Sequence, residues 1–160
     1  MMTMQEWLDA YGESHQNPTN KAVHWICVPV IFFTLIGLLS LIPLGGLKES
    51  IPSGFAPYIH LGTLVIFLGL LFFLRLSFSI ALGMLVVSAV VLYLVKVVNL
   101  AFPDSALWFY VTLFVVAWIG QFIGHKVEGQ KPSFLDDVKF LLIGPAWLLH
   151  FIYRKLGIPY

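Results

Sequence analysis

From Val23 to Leu44 the chain carries no Asp, Glu, Lys or Arg, and three further apolar runs follow at about 58–74, 76–98 and 107–124. A bilayer's hydrocarbon layer takes ~20 apolar residues to cross as a helix, so the pattern predicts about four transmembrane helices, at 23–44, 58–74, 76–98 and 107–124. None of these runs alternates polar and apolar residues as barrel strands do, which leaves helices as the fitting element. Between the second run and the third only Arg75, with neighbouring Leu76 and Ser77, remains for a turn, so those two helices should form a tight hairpin.

The flanks carry a different pattern. Met4, Trp7, Leu8 and Tyr11 recur at helical spacing with Glu6, Asp9 and Glu13 between them, which predicts a short interfacial helix at about 3–13. Gly129 and Pro132 should stop the fourth span, and Ser133 with Asp136 resembles a capping box that opens another helix. Phe140 to Tyr153 is apolar again but contains Gly144-Pro145, read as an interruption. An interfacial or re-entrant pair of short helices over about 134–156 is therefore expected rather than a fifth crossing. With no internal repeat and no low-complexity linker, residues 1–160 form one domain: an all-α, polytopic membrane helical bundle.

Composition agrees with that reading. A chain of 160 residues that is 59% hydrophobic and 11% charged has more apolar surface than one small water-soluble core can bury. The first apolar run has neither a basic leader nor a small-residue cleavage pattern, so no cleaved signal peptide is expected. A net charge of +1 and the lack of any basic run argue against a nucleic-acid partner. Cys27, the single cysteine, cannot form an internal disulfide and reads as a small buried hydrophobe. Across four crossings Lys21, Arg75, Lys126, Lys131, Lys139, Arg154 and Lys155 fall on one side and Lys48 and Lys96 on the other. The positive-inside rule then puts both termini in the cytoplasm, compatible with a bacterial inner membrane or an endoplasmic-reticulum membrane.

This topology sorts the five histidines. His15, His24 and His125 belong to the cytoplasmic side, whereas His60 opens the second span across ~30 Å of hydrocarbon. His60 and His150 read most simply as polar interfacial anchors. In "YGESHQNPTNKAVHW", Pro18 disfavours helical geometry at Asn17 and breaks any continuous helix through both histidines. Asn17 can cap a new helix with Pro18 at its first position, and the turn lets His15 fold back toward His24. In "WIGQFIGHKVEG", His125 and Glu128 share one helical face, with Gln121 one turn before His125. A carboxylate at a helix C-terminus meets the negative end of the macrodipole, a conflict that a neighbouring cation would remove. Gln121 could orient an imidazole or a bound ligand.

Each of these features has a plain alternative: an anchor, a solvated HxxE pair, a capping turn. Their convergence on one membrane face is what points to a metal site. Neutral imidazoles with an oxygen ligand and open positions suit Fe(2+), and zinc uses the same ligand types. The HxxxH and HxxHH boxes of di-iron membrane desaturases are absent, so an iron site would be mononuclear.

"YGESHQNPTNKAVHWICVPV", "WIGQFIGHKVEGQKPSFLDD" and "LLIGPAW" together resemble a membrane family of 2-hydroxy fatty acid dioxygenases, one that includes a fungal enzyme for metabolism of phytosphingosine to odd-numbered fatty acids. The resemblance implies an iron(II)-dependent dioxygenase that shortens a long-chain 2-hydroxy fatty acid by one carbon with dioxygen. It implies His15, His24 and His125 as metal-holding catalytic residues, with Glu128 matched approximately and His150 without a counterpart. Asn17, Asn20, Gln121 and Lys126 fall beside that motif as supporting or substrate-contacting candidates, with Lys131 a further candidate for the substrate carboxylate. A rival reading is a non-enzymatic membrane protein, such as a small transporter, an assembly factor or a haem-binding protein. A transporter should carry polar groups at mid-membrane, and the span centres here are nearly all Leu, Val, Ile and Phe.

Overall fold

The structure is a computed structural model that describes residues 2–45, 52–129 and 141–160. Lys48, Lys131 and Lys139, together with the Pro132 stop and the Ser133/Asp136 capping box, lie outside the described residues. Within them the chain forms six α-helices and no strand: α1 (Met4–Glu13), α2 (Pro18–Ser40), α3 (Leu61–Leu76), α4 (Phe78–Ala101), α5 (Ala106–Glu128) and α6 (Ile143–Leu156), with a 3-10 turn at Ala56–Tyr58 before α3.

Among the described residues, α2, α4 and α5 are long and apolar enough to cross a membrane. The fourth, α3, is equally apolar but has 16 residues, or ~24 Å of helix against a ~30 Å hydrocarbon layer. Phe67, Leu68, Val86, Val90, Val116 and Ile119 are each more than half exposed. Lipid accommodates such a surface and water does not. The expected hairpin is tighter than three residues, because Ser77 alone separates α3 from α4. Its amide bonds back to Phe73 O at 2.8 Å while its hydroxyl accepts the Ile80 amide at 3.3 Å.

The centre of the bundle is α2, which packs against α5, α3, α4 and α6. Close approach to α5 depends on small residues: a methyl group at Gly37 would overlap the Tyr110 ring, one at Gly120 the Cys27 Sγ, and one at Gly124 the Asn20 Oδ1. Small residues at helix contacts are how apolar helices pack in lipid, where burial of apolar surface gives no drive to associate. Cys27 is half-buried at this contact.

The terminal helices close one end of the bundle. Thr3 and Glu6 form a reciprocal capping box on α1. The apolar stripe that predicted an interfacial α1 buries Met4, Leu8 and Tyr11 in a cluster with Ile143, Trp147 and Tyr153 of α6 and Phe73, Ile80 and Met84 of the α3–α4 hairpin. Every residue of α6 from Ile143 to His150 is buried, so α6 is sunk into the bundle end and roofed by α1. Gly144-Pro145 does not interrupt this helix. Both residues lie in its first turn, where proline's missing N–H would have no helical acceptor. At the opposite end Asn99 donates to Ser40 Oγ at 2.9 Å and accepts from Tyr110 Oη at 3.0 Å. Isolated polar residues in the apolar runs give no sequence signal for that network.

Candidate metal centre

The break at Asn17-Pro18 forms as expected. Asn17 is extended at φ −67° and ψ 129°, its side chain accepts the Thr19 amide, and Pro18 begins α2. The chain reverses between α1 and α2, and His15 swings back over the second turn of α2. There His15 Nε2 and His24 Nε2 lie 2.8 Å apart. The third imidazole comes from α5: the His125 ring centroid lies 5.2 Å from that of His15 and 5.1 Å from that of His24. All three side chains are buried, and one ligand atom from each falls within 4.8 Å of the others.

The surrounding bonds fix two tautomers. His15 Nδ1 lies 2.6 Å from the Tyr11 carbonyl oxygen and His24 Nδ1 lies 2.9 Å from that of Asn20. A carbonyl only accepts, so each Nδ1 carries the proton, and each Nε2 presents a lone pair. Two lone pairs at 2.8 Å repel unless a proton or a metal cation sits between them. Nitrogens bound at ~2.1 Å to one metal ion at right angles stand about 3 Å apart, so the pair has the spacing of two metal ligands. Backbone carbonyls holding the distal nitrogens are also the usual support for metal-binding imidazoles. The three histidines are therefore placed to bind a metal.

Glu128 reaches the same region but meets different partners. One carboxylate oxygen accepts the Gln16 amide at 2.8 Å and the Asn17 amide at 3.0 Å. The other accepts the Asn17 amide and Asn20 Nδ2, both at 2.9 Å. The macrodipole conflict expected at this α5 terminus is met by the amino-terminal end of α2, whose exposed N–H groups attract a carboxylate. Asn20 ties the parts together, donating also to Ser14 O at 3.2 Å.

Of the remaining candidates, Gln121 is buried one turn deeper than His125, and its Oε1 has no hydrogen-bond partner among the described residues. Lys126 is exposed. His60 is remote: it caps α3 by accepting the Thr63 amide at 3.2 Å, and Gly62 beside it packs on Ile36 near the other end of α2. His150 is buried in α6 with Nδ1 2.5 Å from the Trp147 carbonyl. Burial holds its pKa below the ordinary imidazole value, more than the Trp147 bond raises it.

A family model described as 2-hydroxy-palmitic acid dioxygenase Mpo1-like matches residues 1–156. The chain belongs to the Mpo1-like family. It is 27% identical over 164 residues to the 2-hydroxy-palmitic acid dioxygenase MPO1 of Saccharomyces cerevisiae, an alignment covering 98% of this chain and 83% of the yeast protein. No solved structure matches the chain.

In this Mpo1-like chain the residues that sequence reasoning missed are those that hold the histidines. Tyr11 counted only as part of an apolar stripe, yet its ring stacks on His15 at 4.3 Å and 6° while its carbonyl fixes Nδ1. The available signal was the spacing in "YGESH", which puts Tyr11 one helical turn before His15. Trp147, inside "LLIGPAW", completes the cradle with its ring 5.2 Å from that of His15.

Proposed function

We propose that this protein is an iron(II)-dependent dioxygenase that converts a long-chain 2-hydroxy fatty acid to the fatty acid one carbon shorter. The observation that carries the proposal is the buried His15, His24 and His125 cluster at one end of an apolar bundle, with the Nδ1 atoms of His15 and His24 tied to carbonyls and their Nε2 atoms turned toward each other. Family membership supports the substrate class, because the yeast relative is named for 2-hydroxy-palmitic acid. Among metals that three imidazoles can hold, iron rather than zinc suits a reaction with dioxygen.

Bound at this site, ferrous iron supplies open positions that dioxygen and the chelating carboxylate and hydroxyl of the acid can reach. The protein's own groups perform the positioning. His15 and His24 stay neutral and fixed in rotation by their carbonyl bonds. Tyr11 and Trp147 cover His15 and keep bulk water away, which strengthens electrostatic interactions within the site. Glu128 and Asn20 lock the α1–α2 turn to α5, so that histidines from distant parts of the chain hold one register. The apolar helices below take the acyl tail.

Written out, a 2-hydroxy acid and one dioxygen become the shortened acid, carbon dioxide and water, and atoms and electrons balance without an external reductant. Purified protein with ferrous iron in air should therefore yield the shortened acid, detected by mass spectrometry, and should leave the unhydroxylated acid unchanged. Equal turnover under nitrogen or after chelation of iron would refute the assignment.

We further propose that both termini and the histidine centre face the cytoplasm. Lys21, Arg75, Lys126, Arg154 and Lys155 belong to helix ends at the histidine end of the bundle, whereas Lys96 lies over the Tyr58 ring near the start of α3. A reporter active only outside the cytoplasm, fused after Tyr160, should stay silent, and strong activity would reverse the orientation.

A further inference from the structure

Below the histidines, α2 and α5 present a continuous stripe. His24, Val28, Ile31 and Leu35 follow one another at four, three and four residues along one face of α2. On α5, His125 is preceded on the same face by Gln121 and Trp118. Val28, Ile31, Trp118 and Gln121 line a cavity of about 20 Å³ with Tyr11, the residue stacked on His15. That is room for one water-sized group. The rest of its lining is apolar apart from the Tyr11 hydroxyl and the Trp118 N–H, and Gln121 Oε1 is a buried acceptor with no hydrogen-bond partner among the described residues. A buried acceptor left unpaired costs on the order of 1–3 kcal/mol, which the molecule recovers only when a donor enters.

One side chain separates this cavity from a larger space. Leu141 lines it and also lines an apolar groove of about 380 Å³ between α2 and α3, walled by Leu35, Val65, Leu68, Phe72 and Leu142. The groove is open to the lipid side, where Val65 and Leu68 are exposed. From His24 to Leu35 the axis of α2 advances ~17 Å, so a chain with its polar head at the histidines and its tail in the groove would lie along α2.

We propose that this cavity and groove are the acyl-substrate seat: the cavity takes the 2-hydroxyl group, whose hydrogen Gln121 Oε1 accepts, and the unbranched tail reaches the α2–α3 groove when the Leu141 side chain between them turns aside. Gln121 then acts as the residue that recognises hydroxylated acids. A buried amide oxygen left without a partner accepts from a hydroxyl and finds no donor on the bare methylene of an ordinary fatty acid. A site left with an unpaired buried acceptor rejects the analogue lacking the donor far more strongly than an apolar pocket rejects a missing methylene. This assignment rests on the proposed 2-hydroxy acid chemistry and adds to it a residue, a binding direction and a tail site.

The test is equilibrium binding of 2-hydroxypalmitic acid and of palmitic acid to the as-purified full chain under nitrogen, where turnover is blocked. Gln121→Met keeps shape and removes the amide acceptor. It should weaken 2-hydroxypalmitic acid about tenfold, leave palmitic acid within about twofold and leave metal content unchanged. Leu68→Trp, at a lipid-exposed position, should weaken both acids together by filling the groove. Equal loss of both acids in Gln121→Met, or no change in either variant, overturns the seat. If binding behaves as stated but air yields no shortened acid, the seat stands and the dioxygenase reading fails. If both variants turn over 2-hydroxypalmitic acid like the wild type, the dioxygenase reading stands and the seat fails.

Discussion

Glu128, the last residue of α5, holds the amino-terminal end of α2 by accepting the Asn17 amide with both carboxylate oxygens, at 3.0 and 2.9 Å. A charge that is unfavourable on its own helix thereby becomes the link between two helices. His125 is three residues from Glu128, and His15 and His24 flank Asn17, so this link sets how the three imidazoles meet.

Replacing Glu128 with Gln should therefore act on the metal through position. An amide at this place keeps an acceptor but turns a donor toward one of the amides now bonded to the carboxylate. Outer groups that orient metal ligands are worth on the order of tenfold to a hundredfold in affinity, and that is the loss expected in a ferrous titration under nitrogen. Complete loss of binding in a folded Glu128→Gln protein would identify the carboxylate as a ligand instead.

Gly124→Ala tests the same link from the other side. The added methyl would overlap Asn20 Oδ1, and moving Asn20 disturbs its bonds to Glu128 and to Ser14 O. Overpacking of this kind costs about 1–3 kcal/mol, so a lower melting temperature and weaker metal retention should appear together. Gly54→Ala, where a methyl meets open space, should change neither.

The sequence disclosed the parts that depend on local rules. Apolar runs marked the long helices, Asn17-Pro18 marked the break that brings His15 over His24, and the sorting of histidines between the two ends kept His60 apart. It did not disclose contacts made between distant segments. An oxygen-bearing Glu128 near three histidines reads from the sequence as a ligand, and nothing in it announces that Gln16, Asn17 and Asn20 gather around the same carboxylate. Likewise the stripe of α1 looks the same facing lipid or facing α6, and only packing against Trp147 and Tyr153 decides between them. Gly144-Pro145 breaks a helix when interior and starts one when first, a distinction set by where the helix begins.

His150 supplies a pH dependence. Burial chiefly lowers its pKa from 6.5, with Arg154 pushing the same way and the Trp147 carbonyl and Asp9 opposing. Because the folded pKa lies below the unfolded one, the unfolded chain takes up the proton first as pH falls. The contribution of neutral His150 is present above about pH 6.5 and is lost as the pH drops below it. Melting of chelator-treated protein should accordingly become easier as the pH falls below about 6.5, and less steeply so in His150→Phe. Parallel profiles for the two proteins would remove His150 as the cause.

The central claim is that His15, His24 and His125 hold one metal ion. Metal analysis of the detergent-purified protein, reconstituted with ferrous iron under nitrogen, measures it most directly. One iron per chain is expected in the wild type and in His60→Ala, with near-complete loss in folded His15→Ala, His24→Ala and His125→Ala proteins. Full iron retention in a variant lacking all three histidines, or loss in His60→Ala equal to that in the other three, would contradict the account.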